Sequence, residues 1–108
     1  MDKLVRDGKV AVLISRGFGA GWSTWNDEYP EMVFDAFIAN IVADVAELSM
    51  DDLSKIQTYC ALKYPDAYMG GVADLAVEWV PEGELFRVEE YDGSESILLA
   101  KKANWLTA

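Results

Sequence analysis

The spacing of apolar residues changes partway along the chain, from a helical period to a strand period. Between Pro30 and Tyr64, apolar side chains recur every three to four residues, which predicts amphipathic helices. From Ala73 onward, apolar residues alternate with polar or small ones, which predicts β-strands with one buried face. The chain is therefore predicted to fold as an α+β protein.

Two helices are predicted in the first of these regions. The first begins at Pro30, a favoured first helical residue, or at the competing N-cap Asp35, and runs to Leu48. The second begins at Ser49, where Asp52 three residues later completes a capping box with Asp in place of Glu. Leu53, Ile56 and Cys60 mark its buried face, and Tyr64-Pro65 ends it.

Strands are predicted at both ends of the chain. Lys9 to Ser15 is a short β-rich apolar run between two glycines, which indicates a largely buried strand. After the strand around Leu75, the turn Pro81–Glu84 and the strong turn signal Asp92-Gly93 predict strands over 85–91 and 96–101. We expect a mainly antiparallel sheet, made of the N-terminal strand and a C-terminal meander, with the two helices packed on one face.

The length of 108 residues predicts a single domain over 1–108, because so short a chain cannot build two independent cores. Four Trp, five Tyr and four Phe exceed what an ordinary core of this size needs. Some aromatic side chains should therefore be exposed, and we expect a homo-oligomer, with a dimer as the default.

Charge and cysteine content limit the partners and the compartment. The net charge of −10 repels nucleic-acid phosphates, so we expect no nucleic-acid partner. No apolar run is long enough to span a bilayer, and the charged N-terminus does not resemble a signal peptide. With one cysteine, Cys60, no disulfide can form within the chain, so a cytoplasmic protein without a membrane partner is expected.

The residues that most enzymes rely on are missing. Without histidine, the chain lacks the commonest general base, the commonest metal ligand and the Ser-His and Cys-His nucleophile pairs. Cys60 lies on a predicted buried face, and the pairs Asp51/Asp52 and Glu89/Glu90 are better explained as a helix first turn and as opposite faces of a strand. We therefore predict a binding protein with no catalytic residues, no metal and no cofactor.

The segment most suggestive of ligand binding is Ser15–Asn26, which we call the glycine loop. Three glycines at alternate positions allow the backbone to approach a ligand and turn N–H groups toward an anion. An arginine adds positive charge, and aromatic residues offer faces on which a base can stack. The candidate residues are Arg16, Gly17, Phe18, Gly19, Gly21, Trp22 and Trp25.

Neither common nucleotide-binding motif matches this loop. The spacing Gly-x-Gly-x-Gly is not that of a dinucleotide fold, no helix start follows, and there is no Gly-Lys-Ser/Thr of a phosphate loop. An equally weighted alternative is a loop whose tryptophans fold back onto the core. The C-terminal hairpin adds Phe86 and Arg87, which should face opposite sides of one strand, and cross-strand pairing with a glutamate is the favoured role of Arg87.

In the glycine loop and in the Glu90-Tyr91-Asp92-Gly93 hairpin, the chain resembles small proteins of phages and prophages. Among them it is loosely similar to the Thoeris anti-defence sponges, which hold signals like cyclic ADP-ribose without cleaving them. The resemblance implies a homo-oligomer in an infected bacterium, with sites near subunit boundaries. It also implies that Phe18 and Trp22 contact adenine and that Arg16 contacts pyrophosphate.

Three functions remain open from the sequence. The leading hypothesis is capture of a small anionic nucleotide signal by the glycine loop. The second is an acidic phage inhibitor that binds a host protein by imitating nucleic-acid phosphate, since residues 26–100 hold seventeen acidic residues and three basic ones. The third, an enzyme that uses carboxylates on a nucleotide, has the least support.

Overall fold

The computed structural model describes residues 2–100 and confirms a mixed α+β fold. Its five strands are antiparallel and its two α-helices follow one another in the middle of the chain. The strands are β1 (Val5–Arg6), β2 (Lys9–Ser15), β3 (Leu75–Pro81), β4 (Phe86–Tyr91) and β5 (Ser94–Leu99). The α-helices are α1 (Ala36–Ala43) and α2 (Met50–Lys63). Single 3-10 turns occupy Ser23–Trp25, Pro30–Phe34 and Val72–Asp74.

Helix α1 is shorter than the sequence predicted. Pro30 begins a separate 3-10 turn, and Asp35 is the true N-cap, because its carboxylate accepts a hydrogen bond from the Ile38 N–H at 3.0 Å. The helix ends at Ala43 rather than Leu48. Asp44 follows it and binds Arg6 at 2.7 Å, while Ser49 must take an extended conformation to cap the next helix, so the segment between them cannot stay helical.

Helix α2 follows the prediction closely. The Ser49 hydroxyl accepts from the Asp52 N–H, and the Asp52 carboxylate accepts from the Ser49 N–H, both at 3.1 Å. These two bonds form the expected capping box. Ile56 and Cys60 are buried, and Tyr64 ends the helix.

The strands divide into two sheets instead of forming one continuous meander. Strand β2 lies between β1 and β3, and it pairs with β3 from Lys9↔Pro81 to Ser15↔Leu75. Strands β4 and β5 pair only with each other. The hairpin folds over the first sheet because its inner row of apolar side chains packs on Val12, Ile14 and Val80; that row is Phe86, Val88, Ile97 and Leu99. The predicted last strand residue, Lys101, lies outside the described residues.

Strand β2 is consequently buried on both faces. Ala11 and Leu13 meet the helices, which contribute Ile38 and Ile56 to the main core, whereas Val12 and Ile14 meet the hairpin. This explains the uninterrupted apolar run in the sequence. Because β2 ends at Ser15, the glycine loop emerges between the two layers, beside the tight turn of the hairpin.

Within the described part of the chain, no helix is long and apolar enough to cross a bilayer.

Candidate functional site

The glycine loop does bind a carboxylate through its backbone, and that carboxylate is the protein's own Glu95. One Glu95 oxygen accepts a hydrogen bond from the Ser15 N–H at 2.9 Å. The other accepts from the Trp22 N–H at 2.8 Å, the Thr24 N–H at 3.1 Å and the Thr24 hydroxyl. With only 2% of its surface exposed, Glu95 occupies the anion-binding position that the loop glycines suggested for an external ligand.

The glycines of the loop serve close packing within the chain. Gly19 has a φ of +89°, a conformation that favours glycine, and its N–H donates to the Asp92 carbonyl at 2.5 Å. A side chain at Gly17 would overlap Asp74, and one at Gly21 would overlap the Trp25 ring. The loop is therefore packed against Asp74 and Asp92 of the rest of the protein and, at Gly21, against its own Trp25.

Trp22 does not line an open site, which corrects the prediction that it is available to contact a ligand. Its side chain is fully buried, and its indole N–H donates to the Met32 carbonyl at 3.0 Å. It belongs to the main core beside Met32 and Tyr64. The alternative in which loop tryptophans fold back onto the core is confirmed for this residue.

Arg16 and Phe18 are both exposed on the surface. The Arg16 guanidinium forms an ion pair with Glu78 of the neighbouring strand β3, so its charge already has a partner. Phe18 is 73% exposed, at the tip of the loop. Of the two aromatic side chains predicted to contact adenine, Phe18 is thus exposed and Trp22 is buried.

Phe86 and Arg87 are not brought to the glycine loop. They lie at the end of β4 remote from the Asp92-Gly93 turn, and it is that turn that touches the loop. Phe86 packs inward, edge-on to the Phe34 ring at 5.9 Å between centroids, while Arg87 points outward. Arg87 does approach a glutamate, but Glu89 lies at 3.6 Å on the same strand rather than across it.

A cleft of about 370 Å³ lies at the end of the glycine loop. We call it the Trp25–Tyr68 cleft. The Trp25 and Tyr68 rings stack with centroids 5.4 Å apart, and both remain partly open to solvent, with Trp25 40% exposed. The lining residues are Trp25, Asn26, Asp27, Glu28, Tyr29, Asp66, Ala67 and Tyr68.

The walls of this cleft are tied together by a buried amide. The Asn26 side-chain nitrogen donates to the carbonyls of Trp22 and Tyr68 at 2.8 and 3.0 Å, and its oxygen accepts from the Tyr68 N–H at 2.6 Å. The Tyr29 hydroxyl donates to the Pro65 carbonyl at 2.8 Å. These bonds join two segments distant in sequence, so the two aromatic rings are held in place before any ligand arrives.

The charge of the cleft has one sign. Asp27, Glu28 and Asp66 are all exposed at its walls, and no lysine or arginine is among the residues of the described range 2–100 that line it. Aromatic faces and carboxylates both attract cations. The arrangement suits a guanidinium or ammonium group and disfavours a phosphate.

A second polar cluster surrounds the buried carboxylate of Asp35. Besides capping α1, Asp35 accepts hydrogen bonds from the hydroxyls of Tyr59, at 2.8 Å, and Tyr64. Burial is the main cause of the raised pKa values of both tyrosines, and the hydrogen bond from Lys63 to Tyr59 raises the pKa of Lys63. With its oxygens satisfied in this way, Asp35 links α1 to α2.

Cys60 is a core residue, as predicted. It is 1% exposed, and burial raises the pKa of its thiol to about 12, so the nucleophilic thiolate is disfavoured at neutral pH. Among residues 2–100, no group of three or more acidic or cysteine side chains is arranged to hold a metal ion.

Comparison with known proteins adds no relative: no family model, no curated protein and no solved structure matches this chain. The function is therefore argued from the geometry of the chain itself.

Sequence reasoning missed Glu95 and the partners that form the cleft. A signal for Glu95 was present, because it lies two and four residues before the inward-facing Ile97 and Leu99 and so shares their face of β5. No comparable signal marked Tyr68, because its contact with Trp25 depends on how two loops meet.

Proposed function

We propose that the protein is a binding module for a basic segment of a partner protein, with an arginine or lysine side chain inserted in the Trp25–Tyr68 cleft. The observation that carries the proposal is the cleft itself, in which preorganised aromatic rings are surrounded by carboxylates. A cationic side chain can stack on the Trp25 ring while its charged end meets Asp27, Glu28 or Asp66.

The charge of the surrounding surface supports the same partner. Residues 26–100 contain seventeen acidic and three basic residues, and only Asp35 and Glu95 among the acidic ones are buried. A field of this kind attracts a basic partner from a distance and orients its approach. A protein groove that normally binds nucleic-acid phosphates has the required charge.

The energies indicate that several basic residues must bind together. A cation over an aromatic ring contributes about 0.5–2 kcal/mol, and each exposed ion pair about 0.2–1 kcal/mol. One side chain alone would therefore bind at about millimolar concentration or more weakly. A segment with several arginines is needed for useful affinity.

Nucleotide capture by the glycine loop has less support from the geometry. The N–H groups of Ser15, Trp22 and Thr24 are bonded to Glu95, and the Arg16 charge is paired with Glu78. A pyrophosphate would have to displace both carboxylates. The likeness to Thoeris anti-defence sponges stays a prediction, to be tested beside the proposal.

The experiment is a titration with an arginine-rich peptide, in which binding is measured by tryptophan fluorescence and by calorimetry. A glutamate-rich peptide of equal length is the negative control. We expect binding that weakens steeply between 0.05 and about 0.5 M salt, because exposed charges are screened over roughly 10 Å at 0.1 M. Trp25→Ala should weaken binding roughly five- to thirtyfold, corresponding to about 1–2 kcal/mol.

Matched charge variants locate the site. The double variant Asp27→Asn/Asp66→Asn should lose more affinity than Asp51→Asn/Glu47→Gln, which removes the same charge from exposed positions outside the cleft. Equal losses of affinity in the two double variants would show that the peptide responds only to the net charge of the protein, and would refute the cleft proposal. Tight binding of ADP-ribose or its cyclic isomers would instead favour the nucleotide hypothesis.

A further inference from the structure

Strand β3 forms an open edge of the three-stranded sheet. Within the described chain it pairs with β2 alone, and its seven residues make it as long as the central strand. An unpaired edge of this length readily adds another strand, and proteins usually protect such edges with charges, bulges or proline. Here the proline, Pro81, stands only at the final position of the strand.

The backbone groups at this edge can be assigned from the register. The bonds Arg16 N–H to Asp74 carbonyl and Glu82 N–H to Gly8 carbonyl, at 3.1 and 2.9 Å, fix which pairs of the ladder are hydrogen-bonded. Hydrogen-bonded pairs recur at every second residue between these two bonds, so the backbone groups of Ala76, Glu78 and Val80 face β2. Those of Val77 and Trp79 face outward, and no other described backbone group pairs with them.

A groove runs beside the same edge. It has a volume of about 210 Å³, and Arg16 lines it together with residues of β3 and of the segment that follows α1, among them Val45, Val77 and Trp79. Leu75, Val77 and Trp79 alternate along β3, so their side chains share the face of the sheet that the helices cover. An added strand would therefore gain backbone hydrogen bonds with the outward groups of Val77 and Trp79.

We propose that β3 pairs antiparallel with β3 of a second copy, about a two-fold axis at Val77. Val77 then pairs with Val77 of the other copy through two reciprocal backbone bonds. The Trp79 N–H of each copy donates to the Leu75 carbonyl of the other, which places Leu75 beside Trp79 on the apolar face. The result is a continuous six-stranded sheet across the dimer.

Charge selects this register over its neighbour. An axis at Glu78 would also use the outward groups of Val77 and Trp79, but it would place two Glu78 carboxylates directly opposite each other in a close, non-hydrogen-bonded pair. The exposed ion pair of each Glu78 with Arg16 of its own copy offsets only part of that repulsion. With the axis at Val77, Glu78 faces Ala76 of the other copy instead. An axis at Trp79 would bring Pro81, which has no N–H, into the ladder.

The register with the axis at Val77 can be tested by placing a charge at position 76, opposite Glu78 of the other copy. The sign of that charge should decide whether the dimer becomes tighter or weaker. Sedimentation velocity over a wide micromolar range should show a concentration-dependent dimer for the natural protein. Ala76→Lys should tighten the dimer and Ala76→Glu should weaken it, each by roughly tenfold, because the symmetry applies each new charge pair with Glu78 twice. Ala76→Gln is the neutral control of similar size.

A second variant tests the edge itself. Val77→Lys should abolish the dimer, because two lysines would meet at the axis. Because Val77 also packs against the main core, circular dichroism and a thermal melt must establish that the variant is a folded monomer. A monomer at all concentrations would overturn the proposal. A dimer whose dissociation constant is unchanged both by Val77→Lys and by the charge at position 76 would overturn it too, because the contact would then lie elsewhere. These outcomes are independent of whether the Trp25–Tyr68 cleft binds a basic peptide.

Discussion

Replacing Glu95 with alanine should destabilise the protein severely although the residue lies next to a surface turn. The carboxylate accepts hydrogen bonds from the N–H groups of Ser15, Trp22 and Thr24 and from the Thr24 hydroxyl. Glu95→Ala would leave these donors without their acceptor in a region that the hairpin shields from water.

The size of the effect follows from two opposing contributions. Hydrogen bonds to a charged group contribute about 1.5–3 kcal/mol each, so four of them give a gross loss of about 6–12 kcal/mol. The variant also avoids the desolvation of a buried carboxylate, which costs several kcal/mol. The difference, about 3–5 kcal/mol, agrees with the usual cost of removing one partner of a buried charged network and is a large share of the stability of a small domain.

The assay is urea unfolding followed by circular dichroism and tryptophan fluorescence, supported by thermal melts. A loss of 3–5 kcal/mol corresponds to a melting temperature lower by on the order of 15–25 °C for a domain of this size. Glu89→Ala is the matched control, because Glu89 is exposed on the outer face of the same hairpin, and it should change stability by less than about 1 kcal/mol.

Glu95→Gln makes the test more specific. The amide keeps the size of the side chain but places an NH₂ group against donors, so it should recover only part of the loss. A Glu95→Ala variant that unfolds within about 1 kcal/mol of the natural protein would refute the idea that this carboxylate organises the glycine loop.

Two further outcomes are expected. Trp22→Ala should cost about 3–5 kcal/mol in urea unfolding, whereas Phe18→Ala should cost less than about 1 kcal/mol, because Trp22 is buried and Phe18 is exposed; similar losses would contradict the burial of Trp22. The Cys60 thiol has a folded pKa of about 12 against an ordinary value of 9.0, so its contribution to stability is complete below pH 9 and is lost as the pH rises toward 12. Alkaline unfolding midpoints should therefore shift less with pH in Cys60→Ala than in the natural protein, and parallel curves would show that the thiol ionises equally in both states.

The local elements were predictable, because their signals lie within a few neighbouring residues. The run Lys9–Ser15 was predicted with the bounds that the structure has, and so was the start of α2, because the capping box needs only Ser49 and Asp52. The Asp92-Gly93 turn was also predicted, and both residues take the positive φ values that such a turn requires. Period-two alternation likewise located β3, β4 and β5 to within about two residues.

The pairing of the strands and the meeting points of the polar side chains depend on long-range packing. Alternation of apolar and polar residues shows that a strand has an inner face but not what covers that face. The division of the strands into a three-stranded sheet with β3 and a separate β4–β5 hairpin could therefore not be predicted from the sequence. The sequence predicts that the glycine loop binds an anion. The anion that it binds in the structure is the carboxylate of Glu95, 71 residues beyond Thr24. Likewise, Asn26 joins the loop to Tyr68, 42 residues away, and so creates the cleft. Such contacts depend on the docking of whole layers, and no local pattern of residues encodes them.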